Sequence, residues 1–308
     1  MTKIMRNGGW NVLSRFDGIS CGRLALERAG IEVNKYYASE IDKYAIKITQ
    51  SNYPDTIQLG DVREIDFTQF IGEIDLVIGG SPCQDLSIAK ADRKGLDGSR
   101  SGLFFKFVEA IETIKPKYFL LENVKMAEKW KNVITKTLGV EPIMINSNLL
   151  SAQNRPRLYW TNIPGVSEPE DKGLFIKDVL DDEYTEKEVL SQKIIDRYQP
   201  IENSSYAIGT TKPEFRTIGQ RDYVFGDDNK MGCLTATDYK QPKQVLHNGV
   251  LRKISPIEAE RFQTLTDNYT QYGKFGDEIK PISNTKRFEV IGNGWTVDII
   301  SWILSFLK

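Results

Sequence analysis

The segment NVLSRFDGISCGRLALERAG, residues 11–30, decides the fold. Its first part, Asn11 to Phe16, is a short apolar run typical of a strand. Phe16 to Gly22 is a glycine-containing turn, and Arg23 to Ala29 has helical spacing, with Gly30 placed as a C-terminal cap. The segment therefore predicts a strand, a turn and a helix in direct succession, which is the beginning of a βαβ unit.

Similar short apolar runs recur through the first half of the chain. The further candidate strands are Lys35 to Ile41, Thr56 to Leu59, Asp75 to Ile78, Tyr118 to Leu121, Ile143 to Asn146 and Arg157 to Thr161. A second clear helix runs from Leu103 to Ile114, just before Pro116. We predict an α/β fold with a doubly wound, mostly parallel sheet, in which the last strand forms a hairpin with its predecessor.

The pattern changes from about Pro164 to Gly249, where scattered polar, Gly and Pro residues surround short strand-like runs. Helical character returns in the capping box Ser255 to Glu258, and an apolar helix from Thr296 to Leu307 closes the chain. We expect this last helix to pack back onto the first-half sheet. The predicted division is a catalytic, cofactor-binding domain of residues 1–165 and 250–308, with a small irregular β-rich recognition domain of residues 166–249.

The composition is that of a soluble globular protein, with 308 residues, 40% hydrophobic and 27% charged. Met1 to Trp10 has no apolar signal core, and the run Ile299 to Leu307 is too short to span a bilayer, so we expect a cytoplasmic location. An odd number of widely separated cysteines, three, fits a reducing compartment. With His247 as the single histidine, no metal site is expected.

Charge is unevenly distributed around a net charge of −1. Acidic residues dominate between Glu168 and Glu188. Between Tyr206 and Lys253 there are eight Lys or Arg residues and five acidic residues. A nucleic acid, if bound, should therefore contact the second stretch and avoid the first.

Polar residues follow consecutive predicted strands, where ligands of open parallel sheets bind. The turn Phe16 to Gly22 follows the first strand, Glu40 ends the second and Asp61 follows the third. Carboxylates at these two positions are able to accept hydrogen bonds from ribose hydroxyls or an adenine amino group, and their repeated placement favours a nucleoside-bearing cofactor. The structural alternative is a tight turn with two solvated acids.

A cysteine and a carboxyl group follow the next two strands. Cys83 lies on the Pro-containing turn Gly79 to Ser87, which is typical of a nucleophile rather than of a core thiol. Glu122 ends the fifth strand and is a candidate proton donor or hydrogen-bond partner for a substrate ring. Arg155 and Arg157 are alternate residues, so in an extended segment they lie on one face, with a salt-bridged surface strand as the alternative.

Taken together, these motifs resemble the ordered set of the cytosine-5 DNA methyltransferases. The resemblance rests on Gly-Ser-Pro-Cys-Gln at 80–84, Glu-Asn-Val at 122–124, Gln-Asn-Arg-Pro-Arg at 153–157, Gly-Asn-Gly at 292–294 and the turn at 16–22. Asp17-Gly18-Ile19 and Ala38-Ser39-Glu40 look closest to the animal de novo branch, whereas the compact size resembles bacterial or phage enzymes. Cys21-Gly22 and Asn293-Gly294 depart from the family's usual Gly-Gly and Asn-Ser, but both keep small residues.

The resemblance implies the Rossmann-like fold of S-adenosylmethionine-dependent methyltransferases and a covalent mechanism. Cys83 would attack C6 of a flipped-out cytosine in duplex DNA, and Glu122 would hydrogen-bond N3. Arg155 and Arg157 would hold the base oxygen and support Glu122 and the backbone. The implied contacts with S-adenosyl-L-methionine are Phe16, Gly18, Ile19, Glu40, Ile41, Asp61, Val62, Pro82, Leu103, Asn293 and Gly294.

Target recognition is expected in Val166 to Gly249, and Asp85 to Gly102 is the candidate lid over the flipped base. The expected DNA contacts are Gln84, Ser87, Arg93, Lys94, Arg100, Arg216, Arg221, Thr235, Thr237 and Lys240. We expect a monomer, with restriction-modification or phage DNA protection as its role and a separate restriction endonuclease as a possible partner.

Three alternatives remain open from the sequence. A tRNA cytosine-5 methyltransferase would keep the chemistry and change the substrate, but the recognition region has no signature of that class. An inactive DNA-binding paralogue would be expected to lack Cys83, Glu122, Glu40 or Asp61, and all four are present. An NAD-dependent dehydrogenase is disfavoured because the first turn lacks the Gly-x-Gly-x-x-Gly fingerprint.

Overall fold

The computed structural model describes residues 8–81, 103–212 and 217–307. The strands are β1 (Trp10–Arg15), β2 (Val33–Ser39), β3 (Ile57–Gln58), β4 (Leu76–Gly80), β5 (Tyr118–Val124), β6 (Ile143–Asn146), β7 (Gln153–Asn154), β8 (Pro156–Thr161), β9 (Gln199–Pro200), β10 (Gly209–Thr210), β11 (Tyr223–Gly226), β12 (Met231–Gly232), β13 (Gln244–His247), β14 (Val250–Lys253), β15 (Tyr272–Phe275) and β16 (Glu278–Pro281). The helices are α1 (Cys21–Arg28), α2 (Lys43–Asn52), α3 (Leu103–Ile114), α4 (Glu128–Leu138), α5 (Gln192–Ile195), α6 (Pro256–Phe262), α7 (Asn284–Asn293) and α8 (Val297–Leu304).

A seven-stranded sheet in the order β3-β2-β1-β4-β5-β8-β6 carries the first half of the chain. The five strands from β3 to β5 pair in parallel, and β8 runs antiparallel to β5. On its other side β8 lies beside β6, the strand predicted to pair with it, although the short β7 lies between them in the chain. The predicted mostly parallel, Rossmann-like α/β fold is therefore confirmed.

The core of this sheet is built from the strand positions that the sequence makes apolar. Leu13, Val77 and Leu121 belong to one buried cluster with Phe104 and Phe107, which are three residues apart on α3. Burying each of these side chains stabilises the fold by about 1.5–3 kcal/mol. The packing holds α3 against the strands whose ends carry the candidate site.

The chain forms two compact contact units. The first contact unit contains the described residues of Met1–Ile145, Pro156–Glu168 and Val297–Lys308, and the second contains Asn146–Arg155 and Pro169–Thr296. These limits differ from the predicted domain boundaries at 146–155 and 250–296, and the recognition role of 166–249 stays a prediction. Helix α8 packs against α1 within the first unit, and Arg28 Nη1 lies 2.7 Å from Asp298 Oδ1. The last helix therefore packs onto the first-half fold, as expected.

The second contact unit contains a five-stranded sheet in the order β14-β13-β11-β10-β9, the hairpin β15-β16 and the short pair β12-β7. The predicted capping box begins α6: the Ser255 hydroxyl accepts from the Glu258 N–H (3.1 Å), and the Ser255 N–H donates to Glu258 Oε2 (2.7 Å). Glu258 is also the buried ion-pair partner of Arg252. Among the residues that the structure describes, no helix is both long and apolar enough to cross a membrane.

Candidate active site

The candidate site residues of the first contact unit lie along one edge of the large sheet. Because β3, β2, β1, β4 and β5 are parallel neighbours in this order, their carboxyl ends share that edge. The first four strands are followed in turn by Asp61, Glu40, the turn after β1 and Ser81, and Glu122 lies two residues before the end of β5. The sheet thus brings together, along one edge, the groups that were predicted to follow separate strands.

The turn between β1 and α1 is unusually shaped. Phe16, Gly18 and Ser20 all have positive φ angles, of 56°, 60° and 59°. The Asp17 carboxylate holds the turn, because it accepts from the Ser20 hydroxyl (2.5 Å) and the Tyr36 hydroxyl (2.7 Å). Its burial raises the pKa of Asp17 to about 6. A Cβ on Gly18 would have no atom of the described residues within 4 Å, so this part of the structure leaves the backbone of the turn open at this point.

Glu40 ties this turn to the end of β2. Its Oε2 accepts from the Gly18 N–H (2.7 Å), and Oε1 accepts from the N–H groups of Ile41 (2.8 Å) and Asp42 (2.9 Å). The adjacent Ile41 side chain is 68% exposed. An anchored carboxylate beside an exposed apolar side chain is able to accept hydrogen bonds from ribose hydroxyls and to pack against a flat ring.

Asp61 is held by Arg63, a basic side chain that was not predicted to belong to the site. The Nε of Arg63 lies 3.0 Å from both carboxylate oxygens of Asp61, and Nη2 also contacts Oδ2. This guanidinium lowers the pKa of Asp61 to about 2. Asp61 is therefore a fixed, ionised acceptor next to the buried Val62.

Two neighbouring strands bring Ser81 and Glu122 close together. Gly80 pairs in register with Glu122, and the Asn123 side-chain amide donates to Ser81 Oγ (3.0 Å) and more weakly to the Ser81 carbonyl (3.3 Å). On the other side of β5, Arg157 Nε lies 2.8 Å from Glu122 Oε1, and both side chains are largely buried. Glu122 is therefore an oriented carboxyl group beside the segment that leads to Cys83.

Arg155 contacts a different set of groups. It lies between β7 and β8 rather than inside a strand, so the alternation that would place it on one face with Arg157 does not apply. Within the second contact unit its Nη1 donates to the Leu234 carbonyl (2.8 Å) and its Nη2 to the Gly294 carbonyl (2.9 Å). Buried Arg155 thus supports the backbone, which is part of the role expected for it.

A model of the C-5 cytosine-specific DNA methylase family matches residues 10–308. The chain belongs to the C-5 cytosine-specific DNA methylase family. The predicted enzyme class, DNA (cytosine-5)-methyltransferase, is confirmed by this match, and the tRNA alternative is not favoured.

Relatives of this methylase occur among bacterial enzymes. The Type II methyltransferase M1.ScrFI of Lactococcus lactis subsp. cremoris is 29% identical over 320 residues, which cover 94% of this chain and 76% of that protein. The Type II methyltransferase M.NlaX of Neisseria lactamica is 28% identical over 323 residues, covering 97% and 96%. The solved structure of the Entamoeba histolytica methyltransferase EhMeth has the same fold, with a TM-score of 0.74, 16% identity and 98% coverage of both chains.

Several predicted site residues of the methylase lie outside the described residues. These are Pro82, Cys83, Gln84, Ser87, Arg93, Lys94, Arg100 and Arg216, together with the proposed lid up to Gly102. Leu103 is described as the first, half-buried residue of α3. The roles of all these residues stay predictions.

The Gly-Asn-Gly motif closes α7 in the second contact unit. Asn293 is the exposed last residue of the helix, and the Gly294 N–H caps it by donating to the Val290 and Ile291 carbonyls. A Cβ on Gly292 would lie 2.1 Å from the carbonyl carbon of Thr235, so only glycine allows this approach. The motif therefore fixes the backbone at Thr235, a predicted DNA contact.

Three predicted DNA contacts of the methylase share one recess. Arg221, Thr235 and Thr237 line a recess of about 380 Å³ in the second contact unit, and Lys240 is exposed at the end of the short helical turn Asp238–Lys240. The sequence predicted these residues separately as DNA contacts and did not indicate that they line the same recess. In the described part of the chain, no group of three or more His, Cys, Asp or Glu side chains is placed to hold a metal ion.

Arg15 is a buried charge that was not predicted from the sequence to have a role. It is 0% exposed, its Nη1 donates to the Lys106 carbonyl (2.5 Å), and its guanidinium lies 4.6 Å from the centre of the Phe67 ring. Burial lowers the pKa of Arg15 to about 9. The sequence feature that could have indicated Arg15 is a lone basic residue in an apolar strand. For Arg63 it is a basic residue two positions after Asp61.

Proposed function

We propose that this methylase transfers a methyl group from S-adenosyl-L-methionine to C5 of a cytosine flipped out of a specific duplex DNA sequence, with Cys83 as covalent nucleophile. The pairing of the β4 and β5 ends carries the proposal. Ser81 is hydrogen-bonded to Asn123, Gly80 pairs with Glu122, and Cys83 follows Ser81 by two residues. Two residues of chain span at most about 7 Å, so Cys83 and Glu122 are within reach of the same pyrimidine ring.

The chemistry requires a nucleophile and an oriented carboxyl group. The Cys83 thiolate adds to C6, and the displaced electron pair makes C5 nucleophilic. Glu122 hydrogen-bonds N3 and stabilises the ring as charge develops there, while Arg157 fixes the carboxyl group. When bound, S-adenosyl-L-methionine supplies the methyl group. A base then removes the C5 proton, the C5–H electron pair restores the double bond, and the bond from Cys83 to C6 breaks to leave 5-methylcytosine.

Arg155 acts in this proposal as a positioning residue. Its guanidinium binds carbonyl groups in the loop after β12 and at the end of α7. A charged donor with several carbonyl acceptors holds those backbone segments in a single arrangement. We therefore assign the direct support of Glu122 to Arg157.

The residues at the strand ends fit a nucleoside-bearing sulfonium cofactor. Glu40 takes the ribose hydroxyls, Asp61 the adenine amino group, and the exposed Ile41 packs on the adenine ring. The open space beside Gly18 admits a ligand close to the backbone of the turn. The other proposed cofactor contacts are Phe16, Ile19, Val62, Pro82, Leu103, Asn293 and Gly294.

The substrate is double-stranded DNA, from which the target base must be extracted at a cost of a few kcal/mol. The proposed DNA contacts are Gln84, Ser87, Arg93, Lys94, Arg100, Arg216, Arg221, Thr235, Thr237 and Lys240. The names of the bacterial relatives, which are Type II methyltransferases, support a role in restriction-modification. We propose that the enzyme acts in the cytoplasm as a monomer, alongside a separate endonuclease.

The covalent step is tested with duplex DNA that carries 5-fluorocytosine at the methylated position. Fluorine at C5 blocks the removal of a proton, so the wild-type protein should form a stable protein–DNA adduct in the presence of S-adenosyl-L-methionine. Cys83→Ser should form none and should keep its affinity for the cofactor, whereas Cys233→Ser serves as the matched control and should form the adduct. An adduct with Cys83→Ser would contradict the mechanism, and labelling of tRNA but not DNA by tritiated cofactor would contradict the substrate.

A further inference from the structure

Among the described residues that line the recess in the second contact unit, Arg221 is the cationic one. The carbonyl of Arg221 accepts from the side-chain amides of Gln241 (2.9 Å) and Gln244 (2.6 Å), so two glutamines fix the backbone of this arginine. Among the described residues, the Arg221 guanidinium itself has no hydrogen-bond or ion-pair partner. Its donors are therefore available to a ligand in the recess.

The wall that carries Arg221 is a closed turn. The Asp222 carboxylate is buried and accepts from the Gly219 N–H (2.7 Å), and the Asp222 N–H donates to the Gly219 carbonyl (3.0 Å). The carbonyl of Asp222 accepts from the Thr211 N–H (2.9 Å). These bonds anchor the turn to the strands beneath it and commit the Asp222 carboxylate to the wall.

The opposite wall is equally fixed. Asp238 accepts from the Thr235 N–H (3.0 Å) and hydroxyl (2.8 Å), and Thr235 Oγ1 lies 3.1 Å from the hydroxyl of the exposed Thr237. Lys243 Nζ lies 3.6 Å from Asp238 Oδ2, and both side chains are buried. The close approach of Gly292 to Thr235 holds this wall from behind.

The charges around the recess favour a neutral ligand. Among the described residues, the carboxylates of Asp222 and Asp238 lie in the lining beside Arg221, and Asp238 is paired with Lys243. A phosphate would be repelled by the two carboxylates, whereas the edge of a base would not. A guanidinium has donors only, and among base edges in the major groove only guanine presents two acceptors, O6 and N7.

We propose that the recess reads one guanine of the recognised DNA sequence, with Arg221 donating to O6 and N7 and Thr237 at the rim. This inference rests on the proposed function and deepens it. The backbone of Arg221 is already fixed, and the planar guanidinium loses little freedom for each hydrogen bond that it forms, which favours a specific pairing with the base.

The test begins with the site that the wild-type protein methylates in a mixed-sequence duplex, identified by bisulfite sequencing. At one guanine of that site, Arg221→Ala should lower the preference for guanine over other bases, measured as a ratio of kcat/KM values, by about 10- to 100-fold. Arg221→Lys keeps the charge but not the paired donors and should lose most of the preference. Arg197→Ala removes the same charge elsewhere in this unit and should change nothing.

A modified substrate gives an independent readout. With 7-deazaguanine at that position, which lacks the N7 acceptor, the wild-type kcat/KM should fall about tenfold. Arg221→Ala should be insensitive to the replacement. The wild-type measurement needs no variant: if replacement of each guanine of the site in turn leaves kcat/KM unchanged, no residue reads N7 and the assignment fails, even if Arg221→Ala does not fold.

The opposing results are distinct. Uniformly weaker methylation of all sequences by Arg221→Ala, with a shallower salt dependence, would overturn the guanine assignment in favour of a phosphate contact. If Arg221→Ala keeps the wild-type selectivity and its full sensitivity to 7-deazaguanine, a residue other than Arg221 reads this guanine. Methylation of no DNA by the wild-type protein would instead overturn the proposed function, and this inference with it.

Discussion

The side-chain amide of Asn123 lies 3.0 Å from Ser81 Oγ and joins the ends of β4 and β5. Both residues are buried, so neither group is able to exchange this hydrogen bond for one with solvent. Ser81 is the last described residue before Cys83. The backbone from which the proposed nucleophile segment starts is therefore held by a side chain of the neighbouring strand.

Asn123→Ala should lower the single-turnover methylation rate about tenfold or more, because a small displacement of a reacting group is costly. It should also lower the free energy of unfolding by about 1–3 kcal/mol, since Ser81 loses a buried partner. Asn162→Ala is the matched control: its side chain bonds the Phe119 N–H and Lys117 carbonyl at the other end of β5. If both variants slow methylation equally, Asn123 contributes stability alone.

Arg157→Ala should leave the Glu122 carboxylate buried without its guanidinium. We expect the free energy of unfolding to fall by about 3 kcal/mol, and kcat to fall while KM for DNA changes little. Arg157→Lys keeps the charge but lacks the planar guanidinium with its paired donors. It should restore the free energy of unfolding more fully than it restores kcat. A normal kcat in Arg157→Ala would show that Glu122 needs no orientation by Arg157.

Asp61→Ala should weaken the binding of S-adenosyl-L-methionine about tenfold or more in calorimetric titrations, because a charged acceptor is lost. Asp66→Ala is the control, since Asp66 is an exposed acid of the same unit that caps the short helical turn Phe67–Phe70. An unchanged dissociation constant in Asp61→Ala would remove Asp61 from the adenine site.

The Arg63 guanidinium also determines how the Asp61 contact responds to pH. It lowers the pKa of Asp61 from 3.8 to about 2, so the carboxylate is ionised throughout the range from pH 5 to 8. The stabilisation from this pair is complete above pH 3.8 and is lost as the pH falls towards 2. Cofactor affinity measured between pH 5 and 8 should therefore show no titration of Asp61.

Asp17 predicts the opposite dependence of stability on pH. Burial raises its pKa from 3.8 to about 6, so between these values the folded state binds more protons than the unfolded state. The contribution of Asp17 to the free energy of unfolding should therefore fall as the pH rises from about 4 to 6, by on the order of 2 kcal/mol, and then level off. Urea unfolding of wild type and Asp17→Asn at pH 4.5 and 7.5 measures this difference. An identical change in both proteins would contradict the raised pKa.

The parallel sheet was predictable because its strands are local apolar runs, and the positions of Glu40 and Asp61 followed from the ends of those runs. The helix Leu103–Ile114 was predicted with its observed bounds for the same reason. Strand β5 continues to Val124, beyond the predicted end at Leu121, because its last residues pair with β8. That extension places Glu122 inside a strand and beside Gly80.

Other features depend on contacts that no local pattern encodes. The two-residue strand β7 exists because it pairs with β12, some eighty residues later in the chain. This pairing separates Arg155 from β8 and gives it carbonyl partners in the second contact unit. The recess at Arg221 is likewise formed by segments that are distant in sequence. Its residues were therefore predicted as DNA contacts, but their proximity was not.

The second contact unit is encoded by two separate stretches, 146–155 and 169–296. The short stretch supplies β7, which pairs with β12, and Arg155, which binds the Leu234 carbonyl. A recombination that exchanged only the longer stretch between relatives would join a foreign strand to the resident β7 and a foreign loop to the resident arginine. An exchange of the sequence specificity proposed for this unit, in evolution or in the laboratory, should therefore succeed only when the ten residues 146–155 travel with it.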